Sequence, residues 1–208
     1  MKLISFFLIL FSLNVCTDKT AKKQDNNDLV KPTICYFNNK EKPIVTWTFY
    51  KTTAKKPLVF RFDKTSITET KSANDPLAVY PNAIVTLDTK RILENDKPNT
   101  IISEYLFGKM MASNTVSIQI TRFDVATQEV FVKVNMNNTS KTLKAHFDKK
   151  EKQLIITGVF DLKKDFNAGE ALYFYHTAEF DNHKGADGKS KTWSEVRFQI
   201  KLQLDMKC

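Results

Sequence analysis

The sequence predicts an all-β fold, a closed antiparallel barrel of about eight strands with one or two short helices. Three observations lead there. Apolar side chains recur with a period of two through most of the chain, and the links between the alternating runs are short enough for hairpins. No strand–helix–strand rhythm appears. The last alternating run is long enough to pair with the first strand and remove both edges.

Residues 1–15 read as a secretory signal that precedes the fold. Lys2 supplies the positive start, and Leu3 to Phe11 is apolar apart from Ser5. That segment of roughly ten residues is too short to span a bilayer and right for export. It runs into Leu13-Asn14-Val15-Cys16, which resembles a bacterial lipoprotein processing site with Cys16 as the lipidated first residue. Val15 departs from the small residue usual before such a cysteine. Residues 16–32 contain almost no apolar side chains and read as a tether, because they bury too little surface to offset the ordering entropy. The expected domain is 33–208, exported and either periplasmic or held at an envelope membrane. With Cys16 modified, Cys35 and Cys208 remain as an even pair in an oxidising compartment, and a disulfide between them is expected. The loop so closed contains nearly the whole domain, a constraint on the order of 4–5 kcal/mol in the chain-entropy model.

From residue 33 the strands follow in order. Val45, Trp47 and Phe49 alternate with Thr46, Thr48 and Tyr50; Leu58, Phe60 and Phe62 alternate with Val59, Arg61 and Asp63. A meander is expected over 113–123, 128–136, 140–148 and 152–161. In it Val116, Ile118 and Ile120, then Val130, Val132, Val134 and Met136, share one face. Leu143, Ala145 and Phe147, then Leu154, Ile156, Gly158 and Phe160, continue it. The last run sets Val196, Phe198, Ile200, Leu202, Leu204 and Met206 against polar neighbours. Phe131 and Ile155 have apolar residues on both sides, so their parity stays open. Residues 99–107 read as a helix capped by Asn99, with Ile101, Ile102, Tyr105 and Leu106 on one face. Residues 165–178 follow a second cap, Asp165, and carry Leu172, Tyr173 and Tyr175; they read as helix or loop.

The formal charge of +9 combines 32 Lys/Arg with 23 Asp/Glu. The two signs are interleaved and no arginine cluster occurs, so net charge is the sole feature shared with nucleic-acid binders, and nucleic acid is not an expected partner. GADGKS (185–190) has the look of a phosphate loop, but five residues before Gly188 stands His183 where that loop needs glycine. It reads as a turn. His146, His176 and His183 match no zinc spacing, so no metal site is expected, and nothing marks an enzyme.

Sixteen Phe, six Tyr and two Trp stand out instead. A small barrel either fills its interior with such side chains or encloses one apolar ligand, and composition leaves both open. VTWTFYKTTAKKPLVFRF (45–62) resembles the opening of YceI-like proteins, the lipocalin-like polyisoprenoid-binding family. There a tryptophan strand is followed by a Lys-Thr-Thr segment and a second strand ending in Phe. Arg91-Ile92, then Tyr105 to Met110, resembles the family's basic residue and short helix with paired aromatics. HKGADGKSKTWSEVRFQIKL (183–202) is similar to the terminal turn and strand of the envelope-lipoprotein branch. The resemblance covers residues 33–208. It implies a lipocalin-like barrel holding an isoprenoid or fatty-acyl chain, with no other cofactor. The chain departs from it at Phe60, where the family usually has glycine, and in lacking a glycine over 115–121. Glycines relieve crowding in barrel strands, so Phe60 is expected to shorten or fill the cavity.

The expected function is non-enzymatic binding of an apolar chain. Its expected lining is Trp47, Phe49, Phe60, Val116, Ile118, Ile120, Val132, Val134, Phe198 and Ile200. The rival reading is a solid-cored envelope protein, an adhesin or stress protein, that meets acidic partners through its basic exterior. A membrane-embedded barrel ranks lower, because the last strand ends Asp205-Met206-Lys207-Cys208 with no aromatic girdle.

Overall fold

The computed structural model describes residues 35–39, 41–150 and 152–208. The signal segment, Cys16 and the tether lie outside the described residues. Thirteen strands are present among them. β1 (Tyr36–Asn38) is followed by β2 (Ile44–Lys51), β3 (Lys56–Phe62) and β4 (Thr65–Thr68). β5 (Ile84–Asp88), β6 (Ile92–Glu94) and β7 (Lys97–Pro98) come next. The expected meander is β8 (Thr115–Asp124), β9 (Glu129–Met136), β10 (Thr139–Lys150) and β11 (Gln153–Asp161). β12 (Glu195–Gln203) and β13 (Asp205–Lys207) end the chain.

The pairing closes on itself. β12 lies antiparallel between β11 and β2, with Phe198 opposite Trp47 and Ile200 opposite Val45. At the other side of β2, β3 bends at Asp63 and Lys64 and continues as β4, while its partner bends between Asp88 and Ile92 from β5 into β6. Backbone bonds carry the ladder through that corner, from Asp63 N to Arg91 O (2.9 Å) and from Asp88 N to Lys64 O (3.0 Å). An Arg91–Asp63 ion pair of 2.7 Å straddles it. β5 then pairs with β8, and the meander leads back to β12. Each bent pair counts as one strand, so eight strands form an antiparallel ring, the architecture the alternation predicts.

The turns follow from local chemistry. Asn137 and Asn138 both adopt positive φ (51° and 55°), as a two-residue hairpin between β9 and β10 requires, and asparagine tolerates that region better than most residues. Gly188, at φ 72°, turns the GADGKS segment, where Gly188 N bonds to Gly185 O and Gly185 N to Lys189 O. No strand opens directly after it. Residues 191–194 first cross to the Thr52 loop, with Thr52 N donating to Lys191 O and the Trp193 indole donating to Thr52 O at 2.8 Å.

Both expected helical regions are present, and each is divided. Residues 100–110 form a π-helical turn (Ile102–Phe107) leading into α1 (Gly108–Met110). Asn99 caps the segment by accepting from Ile102 N. The wider π turn brings Ile102, Leu106, Phe107 and Met110 inward and leaves Tyr105 exposed, correcting the face assigned at normal helical spacing. Over 162–178, α2 (Leu162–Phe166) is capped by Asp161, which accepts from Lys163 N and Lys164 N. Asp165, expected as the cap, instead accepts from the Asp161 backbone N–H. α3 (Gly169–Ala178) buries Leu172 and Tyr175 but exposes Tyr173. A 3-10 turn (Pro76–Val79), which the sequence reading did not anticipate, precedes Tyr80.

The last run is two elements, not one strand of twelve. It breaks at Leu204; β13 leaves the barrel to pair with β1, and Met206 lies exposed, not inward. That small ladder sets Cys208 beside Cys35, and the two form the expected disulfide across a sequence separation of 173 residues.

Cys208→Ser is expected to lower the free energy of unfolding by about 4–5 kcal/mol, measured by urea denaturation of oxidised wild-type protein and the variant. A loss below about 1 kcal/mol would mean that the bond does not restrict the unfolded chain as its loop length implies.

Candidate functional site

All ten residues expected to line the interior are buried on the inner wall: Trp47, Phe49 and Phe60; Val116, Ile118 and Ile120; Val132 and Val134; Phe198 and Ile200. Strand parity places them there. Phe131 and Ile155, undecided from sequence, lie on the outer side and are only half-buried.

Aromatic rings occupy the end of the barrel beneath the helices. Trp47, fully buried, lies 5.0 Å from the Phe62 ring, 5.0 Å from Phe160 and 5.7 Å from Phe107, which the π-helical turn lowers onto it. Phe49 and Phe60 meet edge to face at 5.4 Å, so Phe60, where the resemblance implies glycine, does occupy interior space. Phe198 stacks on Phe160 at 6.1 Å and covers Gly158, its cross-strand partner. A Cβ on Gly158 would collide with the Phe198 ring and press on Ala145.

One polar group lies in this apolar surround. The Trp47 indole Nε1 is buried and has no hydrogen-bond partner among the described residues. An orphaned donor costs about 1–3 kcal/mol, so it is a feature that a ligand oxygen would relieve. Sequence could place Trp47 on the inner wall by parity, but whether its N–H meets a neighbour is decided by side chains from β3, β11 and the π-helical turn.

A second cluster, which sequence reasoning did not find, sits where α3 meets the segment before β12. Thr192 Oγ1 lies 2.9 Å from His176 Nδ1 and 2.5 Å from His183 Nδ1. A hydroxyl donates one hydrogen bond, so the Nδ1 atoms of two neutral imidazoles are satisfied when one accepts from Thr192 and the other donates to it, while His183 Nε2 is buried without a partner among the described residues. The seven-residue spacing of the histidines held no signal, since Thr192 reaches them only through the turn at Gly188. Burial, then Lys51 and His176, push His183 down to about 4; burial and Lys191 lower His176. His146 stands apart on β10, paired with Asp148. Among the described residues no group of three or more His, Cys, Asp or Glu side chains is arranged to hold a metal ion.

No protein-family model and no curated protein sequence matches the chain. Solved structures do. A polyisoprenoid-binding domain from Saccharophagus degradans, implicated in plant cell wall breakdown, superposes with a TM-score of 0.53 at 9% identity, covering 83% of this chain and 98% of that one. BcnA of Burkholderia cenocepacia superposes with a TM-score of 0.50 at 14% identity, covering 78% of this chain and 96% of BcnA. At these identities the likeness shows the fold alone: this chain is an antiparallel, lipocalin-like barrel of the same fold as both. The sequence resemblance therefore holds at the level of the fold.

Two outcomes follow. Gly158→Ala should destabilise the protein by about 1–3 kcal/mol through overpacking, read as a lower urea midpoint; an unchanged midpoint would mean that Phe198 yields freely. His183 binds its proton less readily folded than unfolded, so its contribution to stability is whole above about pH 6.5 and declines as pH falls from there towards 4. His183→Gln should flatten the stability profile in that window, and equal slopes for variant and wild type would remove His183 as its cause.

Proposed function

We propose that this protein binds a single apolar chain, an isoprenoid or other lipid, inside its barrel and performs no chemistry on it. The observation that carries this reading is the inner wall, which is apolar on every strand of the ring and holds the unpartnered Trp47 N–H. The Saccharophagus domain, described as polyisoprenoid-binding, has the same fold, which supports an apolar ligand. Each methylene buried contributes about 0.8 kcal/mol, so a chain of moderate length needs no charged anchor. An oxygen at its head would accept from Trp47. Admission requires side chains to move, and Phe107 is the natural one, because it hangs from a π-helical turn and not from a barrel strand. The protein acts after export, in the periplasm or at an envelope membrane, with Cys16 as the lipid anchor and residues 16–32 as its leash.

One observation favours a second reading. The rings of Trp47, Phe49, Phe60, Phe107, Phe160 and Phe198 contact one another in a continuous series, as in a solid core. On that reading the exterior, not the interior, meets the partner.

Lipid extraction and mass spectrometry of protein purified from the envelope decide between them. An apolar chain at near one per protein is expected, and its complete absence from protein that also fails to take up a fluorescent fatty acid would sink the lipid reading. Trp47→Phe is expected to weaken an oxygen-headed ligand by about two- to ten-fold, the worth of one hydrogen bond, and a pure hydrocarbon hardly at all.

A further inference from the structure

The helical end of the barrel has a face that a solvated surface does not explain. Among the described residues five aromatic side chains are clearly exposed, and four of them, Tyr105, Tyr173, Phe174 and Phe180, stand at this end. α3 buries Ala171, Leu172 and Tyr175 against the barrel, yet its outer side carries Tyr173 (65% exposed) and Phe174 (36% exposed). An ordinary surface helix would place charged residues there.

On α3 itself Glu170 is exposed one turn before these rings, and the charges that neighbouring elements bring up to them are mostly lysines. Lys109, on α1, holds its ammonium 5.4 Å from the Phe174 ring. Lys184 does the same over Phe180 at 5.0 Å, although Asp181 partly neutralises it. A cleft of about 300 Å³ beside Tyr173 and His176 is lined by Lys163 and Lys191 with no carboxylate. On the other side of α1, Tyr105 and Lys109 border a second cleft with Lys90, where Glu104 is the sole acid. The rings meet in two pairs, Tyr173 with Phe174 at 6.0 Å and His176 with Phe180 at 5.6 Å, and Tyr173 and His176 border the same cleft.

We infer that this end of the barrel docks on an anionic lipid bilayer. Aromatic rings with an apolar body and lysines with long stems are the side chains that settle at a headgroup boundary, the rings entering it and the ammonium groups reaching the phosphates. The lysine excess selects an anionic surface over a neutral one. The same end bears the π-helical turn and Phe107, so docking would set the barrel's movable plug against the membrane. The inference goes beyond ligand binding and stands whether or not a chain is found inside the barrel.

The test uses the full chain and vesicles of phosphatidylcholine with or without phosphatidylglycerol. On addition of anionic vesicles, backbone amide exchange should slow over 102–110 and 169–180 and stay unchanged over 125–128, at the far end of β8. The N-terminal segment is common to all variants, so its own membrane affinity does not alter this footprint. The double substitution Tyr173→Ser, Phe174→Ser should weaken co-sedimentation with anionic vesicles about ten-fold. Lys109→Gln and Lys163→Gln should each weaken it about five-fold. Val125→Ser, equally exposed at the opposite end, should change nothing. The substituted side chains are on the surface, and thermal melts matching the wild type confirm folding; the lysine variants retain the test if the double variant does not fold. Equal vesicle binding by wild type and all helical-end variants, or a footprint elsewhere, overturns the inference. So does a wild-type dimer that the double variant lacks, since a second copy would then cover the face. Binding to a soluble acidic polymer with the same footprint, dependent on the lysines and indifferent to the rings, overturns it too.

Discussion

The pairing of β12 with β2 is the constraint on which the rest of the structure depends. Those strands are separated by almost the whole domain, yet Phe198 faces Trp47 and Ile200 faces Val45 in an antiparallel ladder. With that seam made, and with the corner at Asp63 and Arg91 carrying the ring past its sharpest bend, no main barrel strand offers a free edge. Closure also sets the interior. Once eight strands form the ring, each inward position has a fixed volume to share, and the size of one side chain decides what its neighbour can do.

That sharing is visible around Gly158. The absence of a side chain there makes room for Phe198, which stacks on Phe160, which in turn meets Trp47. Phe60 contributes bulk from β3 where the family resemblance leads one to expect glycine. The result is an aromatic layer beneath the helices, with an indole N–H left unpaired inside it. A hydrophobic layer alone would serve stability; an orphaned donor costs stability and therefore points towards a partner that arrives from outside. This is why the unpaired group weighs more in the functional reading than the number of rings around it.

The same end of the molecule concentrates the non-strand structure. The turn at Gly188, the Thr52 loop, α3 and the π-helical turn meet there, held by Thr192 between two histidines and by Trp193 bonded to Thr52. The disulfide closes the opposite end, where β1 and β13 lie. A barrel braced by covalent chemistry at one end and by side-chain hydrogen bonds at the other has its adjustable parts beside the aromatic layer. The exposed rings and lysines lie at that end, so the proposed membrane contact and the proposed admission past Phe107 would share it.

Most of the barrel was legible because strand alternation is a local property: a period of two assigns inner and outer faces without knowledge of any partner. That suffices to place Trp47, Phe60, Val132 and Phe198 on the inner wall and to identify the meander, while the misplaced glycine spacing before Gly188 was enough to read GADGKS as a turn. The strand formed by β5 and β6 escaped notice because its bend leaves only short alternating pieces, Ile84–Asp88 and Ile92–Glu94, whose continuity exists only through pairing with β3 and β4. Tyr105 was assigned to the wrong face, since a π turn changes faces in a way that spacing does not record. The His176–Thr192–His183 cluster and the unpaired Trp47 N–H arise from contacts between residues distant in sequence. Alternation alone thus determined which side of each strand faces inward; tertiary structure decided how full that interior is, because volume belongs to the closed ring and to no single strand.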